Sequence, residues 1–136
     1  MITPAKIQVR FADCDMMGHV NNAVYLSYFE QTRMHYFGQL LDDEWDWKKQ
    51  GVILVKNEVT YLKPILLHDE VAIYAYLKAV GKTSFTLTYR VKANGVLCAM
   101  GASKVVCFDF FKQKSCPVFP ELVAALGKLE KDTNDL

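Results

Sequence analysis

A strand-like start gives way to a helix within the segment Phe11-Ala-Asp-Cys-Asp-Met-Met-Gly-His-Val-Asn-Asn-Ala-Val-Tyr25. Asp15 and His19 stand four residues apart in it, and Gly18 interrupts the chain just before the histidine. An acid and an imidazole at the start of a helix form an arrangement that acyl-transfer chemistry can use. The same residue types are also those of ordinary turns and helix caps, so the spacing alone leaves both interpretations open.

The segments on either side of this stretch carry two different hydrophobic periods. Before it, Lys6 to Ala12 alternates apolar and polar residues, which predicts a first strand. After it, Ala23 to Leu41 has apolar residues at the spacing of one helical face, which predicts a long helix. The predicted buried stripe of this helix consists of Leu26, Phe29, Phe37 and Leu40.

In most of the remaining chain, apolar residues recur at every second position. Four segments rich in β-branched and aromatic residues predict long antiparallel strands: Val52 to Lys63, Glu70 to Val80, Thr83 to Lys92 and Val96 to Phe108. Asn94-Gly95 predicts a tight hairpin between the last two. Pro120 begins a predicted short C-terminal helix, and Lys131 to Leu136 are expected to fray. This layout is α+β, with the long helix buried against the sheet.

Length and composition exclude several classes of protein. The chain has 136 residues, so we expect a single domain over residues 1–136. A formal net charge of +1 gives no reason to expect binding of nucleic acid. No apolar run approaches the length of a membrane span, and the N-terminus lacks a signal-peptide pattern. The cysteines show no Cys-x-x-Cys pairing, which favours free thiols and a cytoplasmic location: Cys14, Cys98, Cys107 and Cys116.

The run from Asp15 to Glu30 resembles the signature of hotdog-fold acyl thioesterases, specifically the 4-hydroxybenzoyl-CoA thioesterase-like group. Its His19-Val-Asn-Asn segment is also similar to the plant acyl carrier protein thioesterases. The resemblance extends to Tyr61-Leu-Lys-Pro64, His68-Asp-Glu and Val80-Gly-Lys-Thr-Ser84-Phe. It implies a long central helix wrapped by a five-stranded antiparallel sheet, in subunits that pair edge to edge as dimers or tetramers. It further implies hydrolysis of an acyl-CoA, and we expect no metal or other cofactor.

The same resemblance assigns roles to particular residues. Asp15 matches the catalytic carboxylate, as base or nucleophile, and the backbone N–H near Asn22 matches the oxyanion donor. His19 joins the aspartate in the plant pattern, although Met17 stands where that pattern carries an asparagine. Tyr25 is expected to line the acyl tunnel. The turn Lys82-Thr83-Ser84 is expected near the thioester, with Ser84 able to hydrogen-bond its carbonyl.

Several alternatives remain beside this interpretation. Cys14 could act as nucleophile with His19 as base, but strand alternation places Cys14 and Asp15 on opposite sides and Asp13 with Asp15. A metal site from Asp13, Asp15 and His19 lacks a fourth ligand. The substrate could be an acyl carrier protein thioester, or the protein could bind acyl ligands without catalysis. A hotdog dehydratase is expected to carry a His-Gly-Pro type segment, which is absent here. Exposed turn lysines are candidates for binding the CoA phosphates: Lys82, Lys112 and Lys114.

Overall fold

A computed structural model describes residues 2–133 of the chain. The elements follow in the order β1 Ala5–Ile7, a 3₁₀ turn at Phe11–Asp13, α1 Val24–Leu40, β2 Gly51–Tyr61, β3 Val71–Val80, β4 Ser84–Ala93, β5 Val96–Asp109, β6 Lys114–Ser115 and α2 Pro120–Leu126. The predicted long helix, the four long strands and the short C-terminal helix are all confirmed, with boundaries that differ by at most two residues.

All the strand pairs of the sheet are antiparallel, in the order β1-β3-β4-β5-β2, and the two-residue β6 pairs with β5. The hairpin between β4 and β5 turns at Asn94 and Gly95, which both have positive φ angles, of 52° and 79°. Positive φ at both central positions is the requirement of a type I′ turn, which asparagine and glycine meet at little cost. The predicted hairpin is therefore confirmed.

The helix α1 lies against one face of this sheet and forms the core with it. Phe29 stacks on Tyr89 of β4, with ring centroids 4.3 Å apart. Phe29 also fills the space above Gly101 of β5, where an added Cβ would come within 2.3 Å of the ring. A glycine at position 101 therefore permits the close approach of helix and sheet. The result is the hotdog architecture, in which the sheet wraps around a long helix.

Three local expectations are wrong. The first strand ends at Ile7, because the chain turns back at Phe11–Asp13, and Phe11 is 84% exposed. Leu26 is 39% exposed on the flank of α1 instead of lying in the buried stripe. Residues 131–133 do not fray: Lys131 pairs with Leu77 of β3, and Asp132 is buried. The rest of that predicted segment, residues 134–136, lies outside the described residues.

Among residues 2–133, β2 pairs only with β5, so it forms a free edge of the sheet as described. Three consecutive apolar residues of this strand are substantially exposed: Ile53, Leu54 and Val55. An exposed apolar edge strand is a site for pairing with another chain.

None of the helices within residues 2–133 is both long and apolar enough to span a membrane.

Candidate active site

The segment between the 3₁₀ turn and α1 forms a small outward loop. Cys14 pairs with Val20 as an isolated bridge, and the Asp15 N–H donates to the His19 carbonyl at 2.8 Å. The Gly18 N–H donates back to the Asp15 carbonyl at 3.0 Å. Gly18 has a φ angle of +78°, a conformation that other residues adopt only with strain. The glycine therefore closes the loop and brings His19 back beside Asp15.

The side chain of Asp15 is exposed, and the loop backbone holds it in place. Its Oδ1 accepts hydrogen bonds from the backbone N–H groups of Met17, at 2.9 Å, and His19, at 3.2 Å. Its Oδ2 accepts no hydrogen bond from any residue within 2–133. The turn thus fixes one carboxylate oxygen and leaves the other available to a ligand or a water molecule.

The start of α1 presents an unused backbone donor. The Asn21 side chain accepts the Ala23 N–H at 2.9 Å, and the Asn21 carbonyl accepts the Val24 N–H at 3.0 Å. Within the described part of the chain, the Asn22 N–H donates to no acceptor. Helix N-termini carry partial positive charge from aligned peptide dipoles. The Asn22 N–H is therefore suited to a negatively charged or polarised oxygen.

Two tyrosines form the wall beside this donor. The Tyr61 hydroxyl, at the end of β2, donates to the Asn22 carbonyl at 2.7 Å. Its ring meets Tyr25 edge to face, with centroids 4.9 Å apart. Burial, followed by the nearby Cys98 and Tyr61, raises the pKa of Tyr25 to about 12. The Tyr25 hydroxyl is accordingly neutral at physiological pH and is not a candidate for a general base.

A shallow cavity of about 250 Å³ joins these groups. Its walls include Asp15, His19, Asn22 and Tyr25, so four predicted site residues meet in one place. Tyr61, Leu62, Lys63 and Pro64 complete the lining together with Val20. The His19 imidazole has no hydrogen-bond partner among residues 2–133, and Asp15 bonds to His19 through the His19 backbone and not through its side chain. The structure therefore contains no preformed Asp–His side-chain pair.

The turn at Lys82-Thr83-Ser84 lies at the other end of the sheet. Ser84 is paired with Val106 of β5, whereas Tyr61 is paired with Ala99. Seven strand positions separate these two pairs, about 23 Å at 3.3 Å per residue. One chain therefore does not bring this turn to the Asp15 cavity. A role for Lys82, Thr83 and Ser84 in substrate binding stays a prediction that requires a second copy.

Asp13 and Asp15 have different contacts throughout. The prediction that their side chains point to the same side of a strand is therefore wrong. Asp13 is 2% exposed, and it accepts hydrogen bonds from the Arg10 N–H at 3.0 Å, the Arg10 Nη2 at 2.9 Å and the Tyr28 hydroxyl at 2.8 Å. Burial alone would raise the pKa of Asp13, but these hydrogen bonds outweigh it and hold the pKa below its usual value. The 3₁₀ turn breaks the strand alternation and turns Asp13 inward. Asp13 therefore cannot share a metal ion with Asp15 and His19.

The comparisons with known proteins decide the family. The model of the thioesterase-like superfamily matches residues 9–126. The chain belongs to the thioesterase-like superfamily. It is accordingly a thioester hydrolase of the hotdog fold.

Individual relatives cover almost the whole chain. The long-chain acyl-CoA thioesterase FadM of Escherichia coli is 28% identical, over 93% of this chain and 98% of its own. A thioesterase structure from Thermus thermophilus, complexed with coenzyme A and zinc, is 34% identical with a TM-score of 0.80, over 91% and 96% of the two chains. A predicted thioesterase structure from Bacillus stearothermophilus is 26% identical with a TM-score of 0.87, over 97% and 98%. In residues 2–133 of the present chain, no cluster of three or more His, Cys, Asp or Glu side chains could hold a metal ion.

Tyr61 belongs to the candidate site but was not predicted from the sequence. It lies thirty-six residues beyond Tyr25 in the chain and reaches the cavity only because β2 ends beside the start of α1. The one available signal was its place in the Tyr61-Leu-Lys-Pro64 segment, which the resemblance includes without assigning it a role.

Proposed function

We propose that this thioester hydrolase cleaves acyl-CoA to a free acid and CoA, with Asp15 as base or nucleophile. The observation that supports this proposal is that Asp15 and Asn22 line one cavity, and that within residues 2–133 neither the Asp15 Oδ2 nor the Asn22 N–H has a hydrogen-bond partner. The name of FadM gives long-chain acyl-CoA as its substrate, and the Thermus thermophilus structure contains coenzyme A. Both point to a CoA thioester as the substrate class.

The Asn22 N–H would hold the oxygen of the thioester carbonyl. As the carbonyl carbon becomes tetrahedral, this oxygen gains negative charge, which the N–H and the helix dipole stabilise. Loss of one such donor costs about 3 kcal/mol in comparable acyl-transfer sites. The Tyr61 hydroxyl holds the carbonyl of the same residue, which fixes the direction of the Asn22 peptide unit.

Asp15 would supply the attacking oxygen by one of two routes. As a base, it takes a proton from water while the water oxygen attacks the carbonyl carbon. As a nucleophile, its carboxylate attacks directly and forms an anhydride, which water then hydrolyses. In both routes the C–S bond breaks, a C–O bond forms and the CoA sulfur leaves as a thiolate that takes up a proton. His19 lines the same cavity and is a candidate proton donor to that sulfur.

A homo-oligomer, as dimer or tetramer, is part of this proposal. The free edge of β2 exposes apolar side chains that pairing with a second copy would cover. A second copy could also bring its Lys82-Thr83-Ser84 turn to the Asp15 cavity. We further propose a cytoplasmic location, which the four free cysteines favour because reducing compartments keep thiols unpaired.

Hydrolysis of a panel of acyl-CoA thioesters, with release of free thiol as the readout, tests this proposal. Acyl carrier protein thioesters with the same acyl groups form the second arm. We expect faster cleavage of the CoA series. No thiol release from either series, combined with measurable acyl-CoA binding, would favour an acyl-binding protein instead.

The contribution of the turn lysines can be tested in the same assay. Exchange of Lys82, Lys112 and Lys114 for alanine should raise KM several-fold and leave kcat nearly unchanged, because phosphate contacts contribute equally to ground-state and transition-state binding. An unchanged KM in the triple variant would mean that these lysines do not contact CoA.

A further inference from the structure

Arg33 is a buried cation without an acid partner. It lies in the middle of α1 and is only 8% exposed. Its Nη1 donates to the Tyr89 hydroxyl at 3.3 Å and to the Ser103 Oγ at 3.1 Å. Ser103 in turn donates to the Asn57 side chain at 2.6 Å. All these acceptors are neutral, and no carboxylate within residues 2–133 forms an ion pair with Arg33.

Arg33 also lies at the wall of a cavity beside α1. None of its nitrogens is sealed in the core without a hydrogen-bond partner. This cavity has a volume of about 410 Å³, and its other walls come from α1, the start of β2, Val105 of β5, Trp47 and Phe110. Buried charges are ordinarily paired, because an uncompensated charge in a low-dielectric site is costly. The cavity is therefore the place where a counter-ion for Arg33 is expected.

Glu30 is the only acid among the described residues that line this cavity. It lies one helical turn before Arg33, is exposed and forms no ion pair with any other described residue. Leu26 and Met34 precede and follow it by four residues, and they are 39% and 50% exposed. Residues four apart share a helix face, so Glu30 lies between two apolar side chains on an uncovered stripe.

This stripe continues onto the free edge of β2. Leu54 lines the same cavity as Glu30 and Arg33, and it is 40% exposed. The helix flank and the strand edge therefore form one apolar surface that contains one acid and one unpaired base. A two-fold axis through such a surface can place the acid of each copy against the base of the other, which would make the surface complementary to itself.

We propose that this surface binds a second copy of the chain, and that Glu30 of each copy pairs with Arg33 of the other. The inference rests on the dimer within the proposed function and adds the contact that fixes its register. Two reciprocal ion pairs would supply both missing counter-ions, while Leu26 and Met34 would cover them from water. Desolvated ion pairs of this kind set the orientation of partners and disfavour wrong alignments.

Dimer dissociation of Glu30→Gln measures the contribution of the pair. Sedimentation of protein dye-labelled at the N-terminus, from nanomolar to micromolar concentration, should give a dimer Kd at least about tenfold higher than that of the parent. Glu121→Gln, which removes an exposed acid from α2, is the matched control and should leave Kd unchanged. A dimeric parent with an unchanged Kd in Glu30→Gln would overturn the ion pair alone. A monomeric parent would overturn the proposed dimer itself.

Charge exchange tests whether the contact is between chains. Glu30→Arg and Arg33→Glu should each dimerise poorly alone, whereas their mixture should form a heterodimer in which both contacts join opposite charges. If Arg33→Glu does not fold, Glu30→Arg compared with Glu30→Gln serves instead, and the arginine should raise Kd further through repulsion. An equal Kd for these two variants would contradict the pairing. A change in KM for acyl-CoA with no change in Kd would also overturn it and would assign the cavity to a substrate anion.

Discussion

Two aspartates that are two residues apart belong to two different regions of the molecule. Asp13 lies on the inner side of the 3₁₀ turn, where Arg10 and Tyr28 occupy both of its oxygens. Asp15 lies on the outer loop, where backbone N–H groups hold one oxygen and the other stays open. The same type of carboxylate is thus a structural ion in one region and the proposed reactive group in the other. The difference comes from the number of donors around each side chain.

Asp13→Asn should give the largest loss of stability. Tyr28 keeps an acceptor, but Arg10 loses its charged partner and a buried hydrogen-bond network is weakened. Hydrogen bonds to charged groups contribute about 1.5–3 kcal/mol each, so we expect the free energy of unfolding to fall by about 1–3 kcal/mol. Urea unfolding measures this loss. Asp15→Asn is the matched control, and a similar loss there would remove the distinction between the two regions.

The stability difference between the parent and Asp13→Asn should depend on pH. The folded state holds the pKa of Asp13 below its usual value, so ionisation of Asp13 stabilises the fold above the unfolded-state pKa near 4. As pH falls below about 4 and through the folded-state pKa, that stabilisation is lost. Unfolding curves from pH 7 to pH 3 should therefore converge for the two proteins. A constant difference in the free energy of unfolding across this pH range would show that the charge of Asp13 is not the cause of the stability difference.

Tyr61→Phe should have the smallest effect. The change removes the hydroxyl that holds the Asn22 carbonyl but keeps the ring against Tyr25. One neutral hydrogen bond contributes about 0.5–1.5 kcal/mol, which corresponds to a two- to tenfold decrease in kcat if the bond orients the Asn22 peptide unit. Thiol release at saturating acyl-CoA measures it. An unchanged kcat would mean that the first turn of α1 does not need this contact.

The helices and long strands were predicted correctly because their hydrophobic periodicity and the turn residues at their ends indicate the same boundaries. Asn94-Gly95 favours a tight hairpin and Pro120 favours a helix start through their own backbone preferences, so both features can be predicted from these residues alone. The 3₁₀ turn was not predicted, because the alternation of Ile7, Val9 and Phe11 continues smoothly past the point where Asp13 folds back onto the Arg10 N–H. The exposure of Leu26 was also missed. Leu26 has the helical spacing of a buried residue. Hydrophobic periodicity does not show which flank of the helix the sheet leaves uncovered.

The candidate site was predicted in the part that is local in sequence. Asp15, His19, Asn22 and Tyr25 meet because a tight loop and one helical turn connect them. Tyr61 depends on where β2 ends, and the separation of Lys82-Thr83-Ser84 from this cavity depends on strand register. Strand register depends on how all the strands of the sheet pair, so it could not be predicted from the local sequence of any one strand.

The most direct test of the central claim is single-turnover cleavage of acyl-CoA by Asp15→Asn with the enzyme in excess. The substitution keeps the size of the side chain and an oxygen for the Met17 and His19 N–H groups, but it removes the charge. We predict that the variant stays folded, binds acyl-CoA and cleaves it about a hundredfold or more slowly than the parent, within the range for loss of a general base. Asp13→Asn, corrected for its folded fraction, should cleave near the parent rate. A folded Asp15→Asn that cleaves bound acyl-CoA at the parent rate would contradict the assignment of the chemistry to Asp15.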